Sequence, residues 1–231
     1  VTRRGEMGIG SSGQIQWATM LKRDYVFMGT HFCRAHHIRY IFHPACFLKE
    51  KPSTAPDRPE HIGFLDIETT NLAADFGYVI CWVIQDETGK EWGGCLEPAD
   101  VLGYTFDKRI MTEYCKVIRE FDRLIVHYGK DRRHDIPFMR TRALRWHLDF
   151  PEYGEQFVTD TFDIAKNKFK WSRNRLQNLA QACRVASKTH RMDPERWCRC
   201  MAGDAAAIRW AFVHCQEDVT SLRRVYKQIQ R

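Results

Sequence analysis

The chain contains no long apolar run. None of its hydrophobic stretches approaches the roughly 18–20 residues needed to span a bilayer, and the start, Val1-Thr2-Arg3-Arg4-Gly5, does not lead into the apolar core of a signal peptide. It has no internal repeat and no low-complexity tract, which excludes a solenoid and whole-chain disorder. It also lacks an even complement of cysteines. The nine present lie mostly in apolar segments such as Val79-Ile80-Cys81-Trp82-Val83, the usage of reduced thiols rather than of a disulfide framework. Together these absences predict a cytoplasmic protein without membrane contacts. What is present, 231 residues of which 44% are hydrophobic, suffices to bury a sizeable core without disulfides. The formal charge of +7 favours a polyanionic partner.

Residues 1–60 differ in character from the rest of the chain. A Gly/Ser stretch from Gly8 to Gly13 leads to a predicted helix from Ile15 to Phe27, then to a Cys/His-rich segment, then to a linker containing Pro52, Pro56 and Pro59. Prolines so spaced exclude a helix or central strand there, so the domain boundary is expected near residue 60, with a second domain over 61–231. From His61 onward, strands are predicted at Ile62 to Ile67, Tyr78 to Ile84, Trp92 to Leu96, Arg123 to His127 and Phe157 to Thr161. Helices are predicted at Asp107 to Phe121, Ile136 to His147, Asn174 to Cys183 and from Asp204 onward. Strands in hairpin order, then interleaved with helices, predict an α/β protein built on a sheet of mixed direction flanked by helices.

The strand Gly63-Phe-Leu-Asp66-Ile-Glu68-Thr-Thr70 carries two acids, and its period of two sets Asp66 and Glu68 on one face. Paired acids in an apolar strand are costly unless a cation lies between them. A third acid, Asp135, comes after a strand that ends in Tyr128-Gly129. It opens the next helix, where an aspartate also serves as an ordinary N-cap. A fourth, Asp218, lies late in the last helix, four residues after His214 and so on the same face. Hard oxygen ligands on a strand, a strand-to-helix turn and a late helix can surround two Mg²⁺ or Mn²⁺ ions roughly 3.5–4 Å apart.

The segments FLDIETT, HYGKDRRHDIPFMRTRA and HCQEDVTSLRRVY resemble the three motifs of the DEDD (DnaQ-like) exonucleases of the ribonuclease H-like superfamily. Asp160-Thr-Phe-Asp-Ile-Ala, Leu176-Gln-Asn-Leu179-Ala and Gly203-Asp204 are similar to a branch described as predicted ribonuclease H-like or exonuclease domains, and the likeness covers residues 61–231. The resemblance implies that Asp66, Glu68, Asp135 and Asp218 bind the two ions. The family carries a tyrosine four residues before the last aspartate or a histidine five before it. This chain departs from both patterns, with Val213 and then His214 at the tyrosine's spacing. His214 is expected to take the proton of the attacking water; packing beside Trp210 and Cys215 is the alternative. Tyr128 stands where the family often has a substrate-contacting asparagine.

A second cluster lies nearer the start. Two residues separate Cys33 from His36, and two separate His43 from Cys46. Thiolates with imidazoles at short paired spacings suit tetrahedral Zn²⁺. These four are the expected ligands of one structural zinc, with His31 and His37 as competitors and a metal-free helical segment as the alternative.

The activity expected is 3′–5′ exonucleolytic hydrolysis of single-stranded nucleic acid, DNA favoured, by two metal ions. The alternatives are an endonuclease or ribonuclease of the same superfamily and a non-catalytic nucleic-acid-binding adaptor. Residues 166–199 hold ten Lys/Arg and two Asp/Glu, leaving the rest of the chain at −1. Within them Lys168, Phe169, Lys170, Trp171, Arg173 and Arg175 interleave charge with aromatic rings, and with Tyr128 they form the expected strand-binding surface.

Overall fold

The computed structural model describes residues 22–33, 35–50, 60–130, 133–152, 156–186 and 188–230. The chain divides into two units. One comprises the described residues before 60 together with those of 152–157; the other comprises Glu60–Pro151 and Val158–Arg231. No described helix is long and apolar enough to cross a membrane.

In the larger unit, β1 (Ile62–Thr69), β2 (Val79–Asp86), β3 (Glu91–Cys95), β4 (Arg123–Val126) and β5 (Phe157–Asp160) form one sheet in the order β3-β2-β1-β4-β5. β1 pairs antiparallel with β2 and parallel with β4, so the sheet is mixed, as the interleaving of strands and helices predicts. β2 is buried at every position but its last. This explains its near-continuous apolar run, since a strand covered on both faces has no solvent side to keep polar.

The last helix, α9 (Ala205–Ile229), starts at an Asp204 N-cap whose side chain accepts from the Ala207 amide. Its buried residues Ile208, Ala211, Cys215, Val219 and Leu222 recur every three or four positions, the stripe that lays a helix on a sheet. It runs back along β1. Phe64 meets Tyr226 edge-on at 5.7 Å, the Cys215 thiol donates to the Asp66 carbonyl at 3.3 Å, and Glu68 reaches His214. Even-numbered residues of β1 therefore face α9, and Asp66 and Glu68 are turned toward Asp218. Between Glu68 and Thr69 the register with β2 shifts by one residue, a bulge of the kind that re-aims side chains at a strand end.

The remaining helices are α3 (Pro98–Leu102), α4 (Lys108–Val117), α5 (Asp135–Arg145), α6 (Thr161–Lys168), α7 (Leu176–Ala182) and α8 (Pro194–Met201). Three of them, α3, α6 and α8, lie where the pattern suggests no helix. All three are at most eight residues long, too short for a 3.6-residue period to declare itself. Each is set by local end signals: Pro98 and Pro194 in the first turns of α3 and α8, and Asp160 capping α6.

The smaller unit contains α1 (Lys22–Thr30) and α2 (Pro44–Glu50) around a cluster of Met28, Cys33, Tyr40 and Phe47. The helix predicted from Ile15 falls partly outside the described residues, and the described helix extends to Thr30 rather than Phe27. The Gly/Ser stretch and most of the proline linker also lie outside the described residues.

Candidate active site

The site forms at the carboxyl ends of β1 and β4, where a parallel pair leaves a crevice beyond its last residues. β1 delivers Asp66 and Glu68. After β4 the chain turns through Tyr128 and Gly129, and Asp135 is the first residue of α5, with His134 rather than Asp135 in the capping position. The N-cap role open to Asp135 in the sequence is therefore not the one it takes. A Cβ at Gly129 would land on the Asp135 carboxylate, so only glycine lets the turn close over this acid. α9 supplies His214 and Asp218 from one face. His214 Nε2 lies 3.4 Å from Glu68 Oε1 and 3.4 Å from Asp218 Oδ2, and ligand atoms of Glu68, His214 and Asp218 all fall within 4.8 Å of one another.

These acids are short of protein donors. Asp66 Oδ2 and Asp135 Oδ2 are buried and make no hydrogen bond among the described residues, a costly state for a carboxylate unless a cation is supplied. Burial, then the neighbouring Asp218, push the Asp66 carboxyl up to about 8, against an opposing pull from Lys188 and the Cys215 thiol. Burial likewise pushes Glu68 well above its ordinary value, with Asp66 and Asp218 adding to it. Asp135 is raised by burial and then by Asp66 and Asp160. An all-oxygen set of this kind, together with one imidazole, could hold Mg²⁺ or Mn²⁺.

The family model of the RNase_H superfamily matches residues 63–230. The chain belongs to that superfamily. Comparison with curated proteins finds no match. Among solved structures, the fold is similar to that of the family B DNA polymerase from the hyperthermophilic archaeon Pyrobaculum calidifontis, with a TM-score of 0.56 and 15% sequence identity. That match covers 75% of this chain and 25% of the polymerase chain.

Several residues of this RNase_H-superfamily site escape sequence reasoning. Asp160, at the end of β5, accepts from the Tyr128, Gly129 and Lys130 amides at 2.9–3.1 Å and from Arg133 at 2.5 Å, and so shapes the turn that presents Asp135. Its local signal is that of a cap, and it does cap α6 by accepting from the Phe162 amide at 2.9 Å. Lys188 forms an ion pair with Asp218, yet in the sequence it is one of ten basic residues between 166 and 199. The His190 carbonyl accepts from His214 Nδ1. This places a proton on Nδ1, so in the neutral ring Nε2 is the lone-pair atom facing Glu68 and Asp218.

Of the expected strand-binding residues, Lys168, Phe169, Lys170, Arg173 and Arg175 are exposed. Phe169 is the residue after α6 and lies 5.3 Å, centroid to centroid, from Trp171. Trp171 is half-buried and packs on the cluster of Ala165, Leu179, Ala180, Val225 and Ile229, so its place in that run has a packing explanation. Tyr128 has φ 62° and is 52% exposed. It meets Phe162 edge-on at 5.0 Å, with the Arg133 guanidinium 5.3 Å from its ring centre.

In the smaller unit, ligand atoms of Cys33, His36, His43 and Cys46 lie within 4.8 Å of one another. His36 Nδ1 is 3.4 Å from Cys33 Sγ and 3.5 Å from Cys46 Sγ, and His43 Nε2 is 2.9 Å from Cys46 Sγ. A tetrahedron with Zn–S near 2.3 Å and Zn–N near 2.0–2.1 Å has S–N edges of about 3.5 Å, so these four could hold a metal. His31 is engaged elsewhere, bonded to Thr30 Oγ1 at 2.9 Å and stacked on Phe27. His37 occupies a left-handed turn position at φ 54°.

Proposed function

We propose that this chain is a metal-dependent 3′–5′ exonuclease of DEDD type acting on single-stranded nucleic acid, DNA favoured. The observation that carries the reading is the convergence of four acids from a strand, a strand-to-helix turn and a late helix, with buried Asp66 and Asp135 oxygens that no donor among the described residues meets. Asp66, Glu68, Asp135 and Asp218 would hold two Mg²⁺ or Mn²⁺ ions. When bound, such ions supply an activated water and stabilise the departing oxygen. His214, its proton held on Nδ1 by the His190 carbonyl, takes the water's proton at Nε2.

Bases of the incoming strand stack on exposed Tyr128 and Phe169. Leu72 and Phe76, 87% and 85% exposed in the segment after β1, add apolar surface next to the motif that carries Asp66 and Glu68. Lys168, Lys170, Arg173 and Arg175 meet phosphates. In the smaller unit Cys33, His36, His43 and Cys46 hold one structural zinc, which fixes a core too small to hold itself. Metal analysis after removal of loosely held ions should then give about one zinc per chain.

End-labelled single-stranded DNA and RNA, incubated with Mg²⁺ or Mn²⁺, should be shortened stepwise from the 3′ end, while circular DNA stays intact. Cleavage of circles would establish the endonuclease instead. His214→Ala should lower the rate by about a hundredfold; a wild-type rate would remove the general base.

A further inference from the structure

The segment between α7 and α8 is fastened to one face of α9. Glu217 accepts from the Thr189 and His190 amides at 3.0 Å each, from the Thr189 hydroxyl and from His190 Nδ1 at 2.9 Å. Trp210 Nε1 donates to the Arg191 carbonyl at 3.0 Å, and His214 donates to the His190 carbonyl. Trp210, His214 and Glu217 are spaced four and three apart, hence one face. Fastened at Thr189, His190 and Arg191, the loop brings Lys188 to the site, where its ammonium pairs with Asp218 Oδ1. The lysine side chain is 23% exposed and the aspartate's 10%. Lys188 is also the cation that acts on Asp66 and Glu68, so it offsets three of the acids at once.

A divalent ion on Asp218 would lie about 2.1 Å from the carboxylate oxygen, and an ammonium on the same oxygen about 2.8 Å from it. Sharing that oxygen would press charges of +2 and +1 together in a half-dry crevice, where like charges are strongly unfavourable. The lysine stem has somewhere to go. Lys188 borders a cavity of about 390 Å³ together with Val213, Glu217 and Ser221, and a four-carbon stem rotates readily.

Building on the two-metal proposal, we infer that Lys188 is a tethered cation that holds the place of a divalent ion against Asp218 when the centre carries none, and that metal must displace it in order to bind there. The lysine thus keeps the unloaded acids together and raises the metal concentration at which the centre fills.

The test is Mn²⁺ binding to the full chain at pH 8 without substrate, monitored by the paramagnetic resonance of free Mn²⁺, with melting recorded in EDTA and in excess Mn²⁺. Lys188→Gln should bind Mn²⁺ about tenfold more tightly than wild type, melt lower in EDTA, and regain wild-type melting in Mn²⁺. Lys188→Arg, which keeps the charge, should retain wild-type affinity. If Lys188→Gln is unfolded in EDTA, its refolding at Mn²⁺ concentrations below those that fill wild type reads the same competition. Equal or weaker Mn²⁺ binding by Lys188→Gln would overturn the inference while leaving the metal site standing. Absence of Mn²⁺ binding by wild type itself would instead overturn the two-metal reading, and this inference with it.

Discussion

Two sets of buried acids in the larger unit differ in how they are met. Asp107 is fully buried and saturated. Arg142 donates to both its oxygens at 2.7 Å, Trp146 Nε1 donates at 2.8 Å and the Val79 amide at 3.0 Å. Asp160 is met as completely by three amides and Arg133. Asp66 and Asp135 each bury an oxygen as well, but no donor among the described residues meets it. Burial of an acid therefore marks nothing by itself. The first set ties α4, α5 and the turn after β4 into place, and the second is left open to a cation from outside the chain.

The contrast can be broken most directly by exchanging one oxygen for an amide in each set. Asp66→Asn should reduce metal-dependent hydrolysis by about a thousandfold or more, while melting in EDTA holds or rises at a pH above about 8, where the substitution removes an unmet charge from a dry site. Asp107→Asn should cost about 3–5 kcal/mol in urea unfolding, since it strands the Arg142 guanidinium. Unfolding of Asp66→Asn to the same degree as Asp107→Asn would erase the distinction.

Proton competition sharpens the same contrast. Asp66, pushed up to about 8 by burial and Asp218, is protonated through the neutral range when no metal is bound, and a metal ion must displace that proton. Mn²⁺ affinity measured by titration calorimetry should therefore rise with pH, by about tenfold per unit for one displaced proton, and level off above about 8. A flat profile from pH 6 to 8 would mean that Asp66 is already ionised.

Asp160→Asn should cost about 2 kcal/mol and loosen the Tyr128–Lys130 turn, lowering activity without removing metal binding. The smallest effect is expected at Glu217. Against the upward push of burial, hydrogen bonds from Thr189 and His190 hold its carboxyl down to about 2. Its contribution is thus complete above the ordinary value of 4.5 and is lost as pH falls through about 2. Glu217→Gln should lower stability at pH 7 by about 1 kcal/mol, and the difference should vanish in acid unfolding experiments below that range.

Much of the candidate site is legible in the chain because its members sit on regular elements. Asp66 and Glu68 share a face by the two-residue period of β1, and His214 and Asp218 by the turn of α9; both relations are set by local geometry alone. Cys33, His36, His43 and Cys46 are within fourteen consecutive residues, near enough for spacing to bring them together. Lys188, Asp160 and Glu217 are different. Their roles depend on the parts of the chain they meet, Asp218, the 128–130 turn and the 189–190 loop respectively, and nothing in the adjoining sequence distinguishes them from a surface lysine, a helix cap and a helical glutamate. Trp171 shows the converse. Among basic residues it reads as a stacking platform, yet it is half-buried and packs on the cluster that contains Leu179 and Val225.

By itself, then, the sequence determined the order of strands and long helices and the acids they carry, because hydrophobic period and side-chain direction are properties of a few successive residues. Only the tertiary structure decided which acids are saturated and which are left open, and which lysine stands among them. Those outcomes depend on donors brought from distant segments, and a donor's reach is set by packing rather than by its place in the chain.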